Sequence, residues 1–335
     1  MKQSILRNNK FRYLLNTLAV VLLYLLIIFL TSGGILNRYQ SNMFIQIGYN
    51  IILAVSLNLS CGFLGQLPLG HAGFMSVGAY ASALFSMAVD LPVYIEFPAA
   101  LLIGGIAAGI TGIIIGLPAL RLRGDYLAII TLGFGEIIRV VILNLKFTGG
   151  AFGLRGIEKH SSISWVFLCT VITIFVIHTL LKSRHGRAVI SIREDEIAAE
   201  ASGISLTYYK TVTFAISAFF AGVAGGLYAH YLCILDPSNF GFMKSVEILV
   251  MVVLGGLGSI IGSVVSASVL TVIPELLRSF ADYRMVIYSL LLIIVMIFKP
   301  SGLFGRYDFS LGPAIDSAFR RIRGLILRKG GAKNK

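Results

Sequence analysis

Charge is scarce in this chain. Charged residues make up 13% of its 335 positions and hydrophobic ones 57%, with a mean hydropathy of +0.88. That balance excludes a soluble domain of this size. Cysteine is nearly absent as well: Cys61, Cys169 and Cys233 stand alone, each in or beside an apolar run. They read as small buried hydrophobes rather than as a disulfide or metal site. No HExxH sequence and no nucleophile elbow is present, and His71, His178 and His230 form no metal-ligand spacing, so no enzymatic chemistry and no bound cofactor is expected. Gly241-Phe-Met-Lys-Ser245 lacks the glycine spacing that cradles phosphate, so any ATP must be bound by another chain. The strand-length alternation of an outer-membrane barrel is missing too.

What is there instead is a series of continuous apolar runs. A helix needs about 20 residues to span hydrocarbon, where its backbone finds partners only within itself. Ten segments can be drawn: 14 to 30, 43 to 60, 69 to 88, 93 to 117, 126 to 145, 163 to 181, 208 to 229, 246 to 255, 258 to 277 and 284 to 298. The expected fold is all-α, a polytopic helical bundle of about ten transmembrane segments with glycine-rich broken helices. Small residues recur at every fourth position in Gly104, Ala108, Gly112 and Gly116, in Ala218, Gly222 and Gly226, and in Gly258, Gly262 and Ser266. Such stripes let helix backbones approach closely, so they are read as packing seams.

The net charge of +13 is concentrated at the membrane edges, which argues against nucleic acid as its partner. Lys2, Arg7, Lys10 and Arg12 precede the first run; Lys299, Arg306, Arg320, Arg321 and Arg323 are among those after the last. Positive flanks stay in the cytoplasm, so both termini are placed there and the number of crossings is even. The first run is taken as an uncleaved anchor, despite Thr31-Ser-Gly-Gly34 behind it. Three regions follow: a basic N-terminus (1–13), a membrane domain (14–300) and a basic tail (301–335). In the tail, Ile315, Ala318, Phe319, Ile322 and Ile326 form the apolar stripe of an interfacial helix. Alternation puts Arg121, Arg123, Lys182, Arg184, Arg187 and Arg193 inside. It leaves Lys146, Arg155 and Lys159 outside, against the charge rule.

Two glycine-rich interruptions divide the runs: Gly62 to Gly73, with Gln66, Gly70 and His71, and Leu254 to Ser259, with Gly255, Gly256 and Gly258. Paired breaks of this kind are the best sequence pointer to a translocation site. Gln46, Asn50 and Asn58 lie on one polar stripe that avoids lipid, and it either lines a pathway or bonds a neighbouring helix. Glu136 and Arg139, three apart in an apolar helix, can pair; an ionisable group there is either functional or part of a structural ion pair. Glu247 is expected to cap the short eighth segment.

The polar island from Ser183 to Gly203, within a loop of about 182–207, is helix-forming and without apolar anchoring. It reads as a docking surface that uses Gly186, Arg187, Arg193, Glu194, Glu196, Ala198 and Ala199, with Gly203 as a C-terminal cap.

Five motifs in order, Gly62 to Phe74, Leu117 to Gly124, Thr148 to Gly156, Gly186 to Glu200 and Leu254 to Ser259, together resemble the LivM-type permease subunit of branched-chain amino acid ABC importers. The resemblance covers about residues 43 to 300. It implies a multi-pass subunit of the bacterial inner membrane that pairs with a second, LivH-like permease. It further implies an extracytoplasmic solute-binding protein, and two cytoplasmic subunits that bind ATP and Mg and act through a coupling helix in the island. The importer signature is only approximate here, since Glu196 stands one place early before Ile197-Ala-Ala199 and Gly203, and Pro68 replaces the family's usual serine. Urea or short amides are alternative solutes within the same machinery. An ion-coupled carrier using Glu136 or Glu247 as a proton site is the alternative from another class.

Overall fold

The computed structural model describes residues 20–29, 31, 37–89, 91–120, 122, 124–277 and, further on, 283, 286, 289–290, 293–294, 297–299 and 302–303. The tail stripe, the N-terminal basic cluster, Arg121 and Arg123 lie outside the described residues. Contacts divide the chain into two units, Asn42–Arg306 and a second formed by Met1–Ser41 with Tyr307–Lys335. In the second, Val20–Phe29 is an apolar helix, α1.

Among its described residues the larger unit is mostly helical, with one two-residue strand pair. Its helices are α2 (Arg38–Asn58, which begins in the other unit), α3 (His71–Ala88), α4 (Val93–Ala119), α5 (Asp125–Asn144), α6 (Ile163–Lys182), α7 (Arg184–Glu194), α8 (Glu196–Ala201), α9 (Leu206–Leu232), α10 (Phe242–Gly255) and α11 (Ile260–Leu276). The segments drawn from hydropathy between 43 and 277 each correspond to one of these. Five helical stretches among the described residues are long and apolar enough to cross a membrane: Tyr39–Phe63, Val93–Ala119, Asp125–Asn144, Ile163–Lys182 and Leu206–Leu232. The first of them runs α2 on into a turn of π-helix, Leu59–Phe63.

The centre is a three-helix core of α3, α4 and α9, built on the expected seams. A methyl group on Gly78 would come within 2.2 Å of the Gly222 Cα, one on Gly222 within 2.5 Å of the Ala108 Cβ, and one on Gly112 within 2.6 Å of the Ala218 Cβ. Backbones therefore touch, and dispersion contacts hold helices that gain nothing from hiding apolar surface in lipid. α10 and α11 meet in the same way, at Gly255 and Gly262, and the Ser266 hydroxyl donates to the Met251 carbonyl.

Connections segregate to two ends. At one end β1 (Leu154–Arg155) pairs with β2 (Ile234–Leu235). At the other lie the π-turn, α7, α8 and the turn between α10 and α11. Side-chain caps start the helices there: Ser183 accepts from Gly186 N–H, Asp195 from Ile197 and Ala198 N–H, and Ser259 from Gly262 N–H.

Two expectations are corrected. The island is not one unanchored helix: extended backbone at Asp195 (φ −158°) splits it, and Val189, Ile192 and Ala199 are buried against Leu64 with Ile204, Leu206 and Tyr209 alongside. The apolar residues sit about three and seven apart among charges, and so go unnoticed when only hydropathy is averaged. Glu247 is not a cap, since α10 begins five residues earlier and Glu247 instead accepts from Lys244 Nζ at 2.9 Å.

Candidate functional site

The site is the bundle end where both glycine-rich breaks meet the island. Asn58, the last residue of α2, is fully buried. Its amide nitrogen donates to the Ser259 carbonyl at 2.9 Å and to Ser263 Oγ at 2.7 Å, and its Oδ1 accepts from Gly258 N–H at 2.9 Å. One side chain thus fastens the first break to the second. Contact is close enough that a methyl group on Gly62 would lie 2.2 Å from Gly258 N. Gly258 has φ +85° and Gly256 φ +110°, conformations that cost a side-chain-bearing residue strain.

Arg193, near the end of α7, lies against both breaks. A methyl group on Gly65 would come within 3.1 Å of its Cγ, and one on Gly258 within 2.8 Å of its Nη1. Glu196, the first residue of α8, also turns inward: its Oε1 accepts from Lys210 Nζ at 2.6 Å and from Gln66 Nε2 at 3.0 Å. Lys210 is only 4% exposed. Burying its charge is tolerable because the carboxylate accompanies it.

The island residues therefore divide. Gly186 is buried where a methyl group would strike the Leu180 carbonyl at 2.3 Å, and Ala199 packs into the apolar cluster. Arg187, Glu194, Ala198 and Gly203 are exposed, as is Ile197. Gly203 follows α8 at φ +84°, the left-handed C-terminal position expected of it.

The remaining candidates lie elsewhere. Gln46 donates to Tyr231 on α9 at 3.2 Å and Asn50 to Thr271 on α11 at 2.9 Å, so the polar stripe ties α2 to its neighbours. Gly70 and His71 mark an interruption inside the bundle. After the π-turn the chain re-enters as non-helical backbone, and Leu69 N–H is satisfied by Thr131 Oγ1. α3 starts there, and Ala72 N–H donates to Ser245 Oγ near the start of α10. The first residue of α10, Phe242, donates its N–H to Glu136 Oε1 at 3.0 Å, while Glu136 Oε2 pairs with Arg139 Nε at 2.7 Å. Thr131 and Glu136 are six and eleven residues into α5, about 9 and 16 Å along it at roughly 1.5 Å per residue. Two helices of 18 and 14 residues thus begin within the bundle, their N-termini side by side and capped by a hydroxyl and a carboxylate. His71 is buried, with Nε2 3.0 Å from Ser56 Oγ, as a satisfied packing residue would be.

Lys210, Ser245, Ser259 and Ser263 were not singled out from sequence. Lys210 carried a signal, being a lone cation just past the first turn of an apolar helix. The serines carried none, because their partners are distant in the chain.

The chain matches the family described as branched-chain amino acid transport system / permease component over residues 39–298. It is 38% identical over 288 residues to the high-affinity branched-chain amino acid transport system permease protein LivM of Salmonella typhimurium, and equally to that of Escherichia coli, covering 76% of this chain and 67% of each relative. To the permease protein LivH of Salmonella typhimurium it is 28% identical over 283 residues, covering 76% of this chain and 91% of the relative. No solved structure matches. The matched region contains both glycine-rich breaks, the island and the helices that join them, and this chain belongs to the family of permease components of branched-chain amino acid transport systems.

Proposed function

We propose that this chain forms half of the membrane pathway of an ATP-driven importer for branched-chain amino acids, paired with a second, LivH-like permease in the bacterial inner membrane. In this reading about ten segments cross the membrane, both termini are cytoplasmic, and solute arrives from an extracytoplasmic binding protein. ATP and Mg belong to two partner subunits that dock on the exposed face of α7 and α8, through Arg187, Glu194 and Ala198. The arrangement of the island supports this reading most directly: one face is buried on the junction of the two breaks, and the other is open. Partner closure would move α8, and the broken segments around Gly65 to Gly73 and Gly255 to Gly262 would rearrange to expose the pathway alternately to each side. Gln46, Asn50, Gln66, His71, Glu136 and Arg139 are pathway candidates in that motion.

The test is a cysteine at exposed Ala198 in the assembled transporter. A bifunctional thiol reagent is expected to cross-link it to an ATP-binding subunit. Labelling of that cysteine by a membrane-impermeant reagent on intact cells, with no cross-link formed, would overturn the assignment.

A further inference from the structure

Glu196 occupies the position where a docking helix would be expected to offer a carboxylate to its partner, yet it points the other way. Its Oε1 collects two donors from two separate elements, Lys210 on α9 and Gln66 in the first break. On either side of α8 there is open space. A groove of about 620 Å³ separates it from the ends of α4 and α9, where Leu117, Leu120 and Lys210 form the wall. A second, of about 430 Å³, lies towards Gly65, Gln66 and Asp125. Glu196 lines both grooves. Three residues earlier in the chain, Arg193 spans Gly65 and Gly258, both at positive φ.

These facts describe a short helix with open grooves on both sides, fastened to the bundle by the Glu196–Lys210 pair, the Gln66 amide and the buried Ala199, while Arg193 at the end of α7 lies against two glycines. A conformational signal needs an interaction that differs between two states, and a buried pair in a spacious setting supplies one. α9 belongs to the tightly packed core, whose glycine seams leave it no freedom to slide. Lys210 is therefore a fixed point, and Gln66, Gly65 and Gly258 belong to the parts that must move.

We propose that Glu196 and Arg193 are positioning residues of the transport cycle rather than contacts to the ATP-binding subunit. Glu196 pivots α8 on Lys210 and draws the first break with it through Gln66, while Arg193 couples that motion to the second break. The proposal rests on the reading that α7 and α8 dock the ATP-binding partner.

The experiment measures solute uptake and ATP hydrolysis together in proteoliposomes containing the complete transporter and its binding protein. Glu196→Gln and Lys210→Met are expected to retain the Ala198 cross-link and ATP hydrolysis, while uptake per ATP falls roughly 5- to 150-fold, the range spanned by coupling between linked sites. The charge swap E196K/K210E is expected to recover much of that ratio, and the cross-link and hydrolysis kept by the single variants separate lost coupling from a general structural defect. Gln66→Leu leaves the ion pair intact and should lower the ratio less; it carries the test should the charge variants fail to insert. A parental uptake-to-hydrolysis ratio in the cross-linked variants, or a swap no better than the single changes, overturns the pivot alone. Loss of the Ala198 cross-link in the otherwise unaltered transporter overturns the docking reading and the pivot with it.

Discussion

Replacing Asn58 with leucine separates a clamp from a pathway lining. The side chain is fully buried and uses both ends of its amide between the breaks, at 2.9, 2.7 and 2.9 Å. Leucine has nearly the same shape and none of the hydrogen bonds. The Ser259 carbonyl would still accept from Ser263 N–H at 3.1 Å and from Ser263 Oγ at 3.2 Å, so it keeps partners. Gly258 N–H would not. An orphaned donor, here half-buried, costs about 1–3 kcal/mol and a lost, otherwise replaceable bond about 1 kcal/mol. Together they give roughly 2–4 kcal/mol. Gln46, with one bond of 3.2 Å to Tyr231, is the internal control, and Gln46→Leu should cost only about 1 kcal/mol. In thermal unfolding of the purified permease in detergent, Asn58→Leu is expected to lower the midpoint by roughly 5–10 °C and Gln46→Leu by a few degrees at most. Equal midpoints for the two variants, with uptake lost only in Asn58→Leu, would refute the clamp and return Asn58 to the pathway.

Two further outcomes follow from the packing. Gly78→Val forces a side chain into the Gly222 backbone, beyond the usual 1–3 kcal/mol or so of overpacking because no flexible neighbour can yield, so it should abolish a monodisperse, folded protein in detergent chromatography. Glu136→Gln keeps an acceptor for Phe242 N–H and should unfold close to the parental temperature, whereas Glu136→Ala removes the cap and the Arg139 pair and should cost about 1–2 kcal/mol; equal midpoints would show that α10 needs no cap.

The sequence carried the helices and the seams. Hydropathy placed the segments between 43 and 277, because lipid forces every backbone polar group into its own helix and leaves apolar length as the signature, and the glycine-rich break at Leu254 to Ser259 divided the last stretch into two. Gly104, Ala108, Gly112, Ala218 and Gly222 announced the core, since close approach in lipid needs small residues at a fixed spacing. Gly203 was legible for an equally local reason, the left-handed turn that ends a helix. The five ordered motifs were enough to identify the family.

Tertiary structure decided which way the polar residues face. Nothing local distinguishes Glu194, exposed, from Glu196, which is paired with Lys210, or Arg187 from Arg193, which lies against two glycines far away in the chain. The anchoring of the island by Val189, Ile192 and Ala199 has no local signature, because it depends on Leu64 arriving from another segment. Sequence points to Glu247, the carboxylate within the helix, as the cap of α10, while the one that performs the task, Glu136, is over a hundred positions away. Local rules of solvation and backbone conformation fix where this chain is helical. Partners brought together only by folding determine what each buried charge and amide does.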